Sequence, residues 1–121
     1  LANDPTMEKF ARQLASSFDD ARRSSDWLNA NDDVLDKLGG ASPYTRLLGT
    51  TLCGALAGKA ALAAQTQLDS GDVTDADRSF YTSKIVSARF FGEQILPTTS
   101  GLASMVTAGA NDLFAMTADQ F

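Results

Sequence analysis

Apolar or small side chains return every third or fourth position from the start of the chain: Met7, Phe10, Ala11, Leu14, Phe18, Ala21, Ser25 and Leu28. That spacing gathers them on one face of a helix. Lys9, Arg12, Asp19, Arg23 and Asp26 fall on the other face. Asp4-Pro5 supplies the start, an aspartate N-cap followed by proline at the first helical position. The pattern fades at Asn29-Ala30-Asn31.

Residues 31–41 read as a connection with a short helical turn, tucked onto the bundle by Val34, Leu35 and Leu38 and ended by Gly39-Gly40. A second helix is expected from Ser42-Pro43 to about Leu68, with Leu47, Leu48, Leu52, Ala55, Leu56 and Leu62 along it and Gly71 as its stop. Two columns of small residues run through it. One is Gly49, Cys53, Ala57, Ala60 and Ala64; the other is Gly54, Gly58 and Ala61. Each helical glycine costs about 1 kcal/mol relative to alanine, so close packing must offset it, and this helix reads as central.

Thr74, with Asp75 and Asp77 behind it, caps a third helix. Tyr81, Ile85, Ala88, Phe91 and Ile95 form its apolar face. Pro97 removes a backbone hydrogen bond and clashes with the carbonyl of Glu93, so a kink or break is expected there. A further helix from Gly101 to about Phe114 would turn Leu102, Met105, Val106 and Leu113 inward. The expectation is an all-α, up-down bundle of three long helices, the third kinked or broken at Pro97, forming one domain over residues 1–121.

Composition narrows the chemistry. The chain has no histidine, which removes imidazole acid–base catalysis, most zinc sites and the Glu-x-x-His di-iron pattern. Net charge is −5, and the lone basic doublet, Arg22-Arg23, sits among Asp19, Asp20 and Asp26, so no nucleic-acid surface is expected. One cysteine, Cys53, makes an intrachain disulfide impossible and suits a cytoplasmic setting. The chain opens at Leu1 with nothing like a signal peptide, which suggests the tail of a longer polypeptide.

The remaining candidates have plain readings. An EF-hand loop counted from Asp69 needs glycine sixth and glutamate twelfth, where Thr74 and Phe80 stand; Asp69, Asp72, Asp75 and Asp77 read as a solvated turn and a cap. Cys53 lies among alanines and glycines, almost two turns from Arg46 and Lys59, and reads as a buried thiol. Glu8 and Glu93 are the only glutamates, and neither has a second carboxylate or base at helical spacing, so Glu93 reads as surface or interface before general base. A membrane span over Leu47 to Leu68 is opposed by Lys59 at its middle, a residue costing about 2.5–3.5 kcal/mol there. Phe90 and Phe91 are adjacent and cannot both face one core, which hints at an interface that Arg89 could bridge.

Two stretches carry a family resemblance. One is Ala41 to Gly49 (ASPYTRLLG) with the alanine-rich helix behind it. The other is Phe80 to Pro97 (FYTSKIVSARFFGEQILP), followed by Val106 to Ala110 (VTAGA) and the closing Ala118 to Phe121 (ADQF). Together they resemble the C-terminal extension of a branch of the bacterial acyl-CoA dehydrogenase family, an acetyl-CoA dehydrogenase C-terminal-like domain. The resemblance implies a parent flavoenzyme of fatty acid β-oxidation that binds FAD. Such a parent abstracts the proton α to the thioester with a glutamate and passes hydride to the flavin. It yields a trans-2-enoyl-CoA and hands electrons to an electron-transfer flavoprotein. In that family the catalytic glutamate and most flavin contacts lie upstream of the extension. No catalytic, cofactor-binding or metal residue is therefore assigned here, and the segment reads as a structural cap on the dehydrogenase core or on an oligomer formed through the parent. The competing expectation is a free-standing amphipathic bundle that coats a lipid or polymer surface, as a phasin does, or binds a protein partner.

Overall fold

The computed structural model describes residues 4–121. Four α-helices are joined into a three-legged bundle: α1 (Pro5–Ala30), α2 (Val34–Ser70), α3 (Asp75–Phe90) and α4 (Thr99–Val106). A π turn (Phe91–Ile95) and a 3-10 turn (Leu96–Thr98) link α3 to α4, so these pieces form one bent third leg. No strand occurs among the described residues. The helix starts follow the local chemistry. Asp4 accepts a hydrogen bond from the Thr6 amide at 2.9 Å, and the Thr74 hydroxyl accepts one from the Asp77 amide at 3.2 Å. Gly71 closes α2 with a left-handed φ of 73°.

The second helix differs from expectation at its start. Residues 34–41 are not a connection; α2 begins at Val34, capped by the Asp33 carboxylate on the Leu35 amide at 2.8 Å. It runs without a break through Gly39, Gly40 and Pro43. Proline here removes one bond, to the Gly39 carbonyl, and the surrounding packing holds the helix together. The glycine pair is not a stop signal. A Cβ on Gly40 would lie 2.8 Å from the Val106 carbonyl oxygen, so Gly40 exists to let α2 and α4 touch.

The core is built from small-residue recesses filled by large side chains. A Cβ on Gly58 would lie 2.9 Å from Phe10 Cε1, and one on Gly92 2.5 Å from Phe10 Cδ2. The Phe10 ring therefore sits in a slot between α2 and the π turn. Leu96, at 0% exposure, fills the matching recess over Gly54. Met7, Ala61, Ala64, Ile85 and Ala88 complete this cluster, and Ala21, Leu47 and Leu102 form a second one. As expected, α2 is central, packing on α1, α3 and α4.

The break expected at Pro97 is spread over the preceding turn. The Leu96 amide bonds to the Phe91 carbonyl, five residues back, and the Thr99 amide then bonds to the Leu96 carbonyl, three back. Widening and then tightening the helix absorbs the missing proline donor. The last helix is shorter than expected, ending at Val106 rather than near Phe114. Leu102 and Val106 face inward, but Met105 and Leu113 are exposed. Gly109 takes a φ of 77°, and Asp36 pins the tail beyond it. One Asp36 oxygen accepts from Asn31 Nδ2 at 3.1 Å, the other from the Ala110 amide at 2.7 Å.

Two outcomes follow. Gly40→Ala is expected to destabilise the chain by about 1–3 kcal/mol through overpacking against Val106. Gly49→Ala meets nothing within 4 Å and should stabilise it by about 0.5–1 kcal/mol, as helix propensity requires. Urea unfolding of the two variants checks both signs. The hydrogen bonds from Asn31 and then Ala110 hold the Asp36 carboxyl below its ordinary 3.8. A depressed folded pKa means the tail contact is fully present above the ordinary value and is lost as pH falls through the folded one. The Ala110 amide resonance should titrate with a midpoint below 3.8, and the Asp36→Ala variant should show no such titration.

Candidate functional site

A belt of buried polar groups ties α1 to α2 and α4. The Ser17 hydroxyl meets Thr51 Oγ1 at 2.5 Å, and Thr51 donates onward to the Leu47 carbonyl at 2.9 Å. Asp20 is buried, pairs with Arg23 and accepts a 3.3 Å hydrogen bond from Thr99. Ser24 is buried beside them, and its hydroxyl has no protein partner. Asp20, Ser24, Ser100 and Ser104 edge a cleft of about 240 Å³. Apart from that of Ser24, the belt's hydroxyls face another hydroxyl, a carbonyl or an already paired carboxylate. A nucleophile needs an adjacent free base, and the belt supplies none.

The candidates read from the sequence are scattered. Glu93 pairs with Lys9 at 3.4 Å and Glu8 with Arg12 at 2.7 Å, both on the surface. Arg89 pairs within the chain to Asp4 at 3.4 Å. The Asp4 carboxyl is lowered by the Thr6 amide first, with Arg89 contributing less. Asp77 lies against the Thr74 cap and Asp69 accepts from Gln65 at 2.7 Å, leaving no group of three acidic or sulfur ligands among the described residues. The adjacent phenylalanines do split as anticipated: Phe91 packs on the core and Phe90 is exposed. Phe80 is also exposed, with the Lys84 ammonium 4.8 Å from its ring centroid.

Cys53 corrects the expected burial, because it is exposed. So are Phe18 on α1 and, on α2, Leu52 (58%), Leu56 (65%) and Leu62 (59%). The inward side of α2 carries Gly54, Gly58, Ala61 and Ala64. Leu52 and Leu56 stand on the outward side, with Gly49, Cys53, Ala60 and Ala63 beside them, whereas Leu47 is buried. Beside this face an apolar groove of about 690 Å³ opens between α1 and α2, walled by Leu14, Phe18 and Leu62 over Gly58, with Lys59 at its rim. α2 is long and apolar enough to cross a membrane by length and composition, with a mean hydropathy of 1.4 over 18 residues of which 33% are buried. Periodicity could not reveal this face. When a helix is apolar on all sides, spacing does not say which side turns inward.

The groove and the outer face of α2 are thus apolar surface bordered by Lys59. No curated protein and no solved structure matches the chain. The model of one protein family, described as acetyl-CoA dehydrogenase C-terminal like, matches residues 1–117. With nearly every residue inside that match, the chain belongs to the acetyl-CoA dehydrogenase C-terminal-like family.

Proposed function

We propose that this chain is the C-terminal accessory domain of an FAD-dependent acyl-CoA dehydrogenase and serves that enzyme structurally. The observation that carries the reading is the family match over residues 1–117. The parent enzyme would oxidise an acyl-CoA to its trans-2-enoyl-CoA in the cytoplasm, pass electrons to an electron-transfer flavoprotein and assemble as a homo-oligomer. The domain's own residues do not fit FAD. A dinucleotide diphosphate is held by several converging backbone or cationic donors at a helix N-terminus. The groove between α1 and α2 is almost wholly apolar, with Lys59 its one cation and Glu8 its one acid. FAD and the catalytic base belong to the dehydrogenase body. The contribution of this domain is to cover and brace that body with a rigid bundle.

A second reading has one observation in its favour. The outward leucines of α2, with Arg46 and Lys59 near them, resemble the apolar face and basic edges of a surface-coating helix. On that reading the chain is a free-standing bundle on a lipid or polymer surface.

Intact mass and visible absorbance of the native protein separate the two. The accessory-domain reading expects a yellow species several times heavier than 12.8 kDa, and no acyl-CoA turnover by residues 1–121 alone. A colourless native species of 12.8 kDa would contradict it, and turnover by 1–121 alone would overturn the structural role.

A further inference from the structure

The chain exposes 7814 Å² of surface. A compact monomer of 12.8 kDa exposes about 6300 Å², so roughly 1500 Å² is in excess. A stable protein interface takes about 800 Å² from each partner. The excess is thus of the size a stable contact takes, and Leu52, Leu56 and Leu62 place three of the exposed large apolar side chains on or beside the outward side of α2.

That side has a charge pattern as well as an apolar one. Between Asp36 and Asp69 the sequence of α2 contains no acidic residue, in a chain whose net charge is −5. Lys59 and Arg46 lie about 20 Å apart along the axis and on opposite edges of the Leu52–Leu56 stripe, by helical geometry. Among the described residues neither has a carboxylate partner. Glu8, across the groove from Lys59, is already engaged by Arg12.

We infer that the outer face of α2, with the adjoining α1–α2 groove, is the seat on which this domain docks to the dehydrogenase body of its own polypeptide. The matching surface on that body is apolar at its centre and carries carboxylates that meet Lys59 and Arg46. This rests on the accessory-domain reading and adds to it the docking face and the chemistry of its counterpart. A second copy of this chain fits poorly. An antiparallel pairing centred between Leu52 and Cys53 sets Arg46 of each copy beside the other's Lys59, and a parallel one stacks like on like. A bilayer also fits poorly. Gly49, Cys53, Ala60 and Ala63 leave recesses between the leucines, suited to the side-chain ridge of a facing helix, and lipid has no such ridge.

Cys53 reports on the face directly, because the bundle alone leaves it exposed. Trypsin releases it in the peptide 47–59, cut after Arg46 and Lys59. In the native flavoprotein, N-ethylmaleimide should label that peptide at least about tenfold more slowly than in the urea-unfolded protein. Carbodiimide should couple Lys59 to an aspartate or glutamate outside residues 1–121 of the same polypeptide. Leu56→Asp, at an exposed position of the bundle, should restore fast labelling while helix content stays unchanged. Equal labelling rates in native and unfolded flavoprotein would overturn the inference. So would coupling of Lys59 only to a second copy, distinguished by mixing isotopically light and heavy protein, or protection that appears only with anionic phosphatidylglycerol vesicles. A native protein without flavin would instead defeat the accessory-domain reading beneath it, and absorbance distinguishes that failure from the others.

Discussion

The fit of the Phe10 ring between Gly58 and Gly92 sets the rest of the architecture. The ring touches α2 on one side and the π turn on the other, at distances where neither position has room for a methyl group. Leu96 repeats the arrangement one helical turn away, over Gly54. Each glycine weakens its own helix by about 1 kcal/mol relative to alanine, and dense packing around the inserted side chains offsets this. Because the glycines lie on one side of α2, that side must face α1 and the bent third leg. Leu52 and Leu56 are left outside as a direct consequence.

The same constraint explains which parts of the fold were legible in the sequence. Capping is local chemistry, so Asp4-Pro5, Thr74 and Gly71 marked real helix ends. The disturbance at Pro97 was also legible, since a missing amide must be absorbed nearby. Gly39-Gly40 and Pro43 misled because their role is tertiary: Gly40 makes room for the Val106 carbonyl, and sequence alone does not distinguish such a glycine from a stop. Spacing did not settle which side of α2 turns inward, and Phe18, Leu52, Leu56 and Leu62 are exposed. Of the two small-residue columns, Gly54, Gly58 and Ala61 line the core side as expected, whereas Gly49, Cys53 and Ala60 are exposed. Cys53, read as buried, was on the outer side for the same cause.

Candidate chemistry was legible mainly as scarcity. The absence of histidine and the isolation of the two glutamates were plain from composition. The polar belt of Ser17, Asp20, Ser24, Thr51 and Thr99 was not, because its hydrogen-bonded pairs lie 34 and 79 residues apart and meet only after folding. The belt fixes the register of α1 against α2 and α4, and so holds the outer face of α2 in a defined shape. That apolar face is the surface on which the proposed bracing role rests. The ordered tail, anchored at Ala110 by Asp36, adds Leu113, Phe114, Met116 and Phe121 as further exposed apolar groups at one end.

A double-mutant cycle between Phe10→Ala and Gly92→Ala tests the governing interaction most directly. Urea unfolding in sucrose, which strengthens burial, keeps the weaker variants folded. With Phe10 present, Gly92→Ala should destabilise the chain by about 1–3 kcal/mol, because the new methyl group collides with the ring. In the Phe10→Ala background the same change should be neutral or stabilising, giving a coupling energy of at least about 1 kcal/mol. An equal cost in both backgrounds would contradict the claim that the Phe10 ring, held between two glycines, determines how the bundle packs.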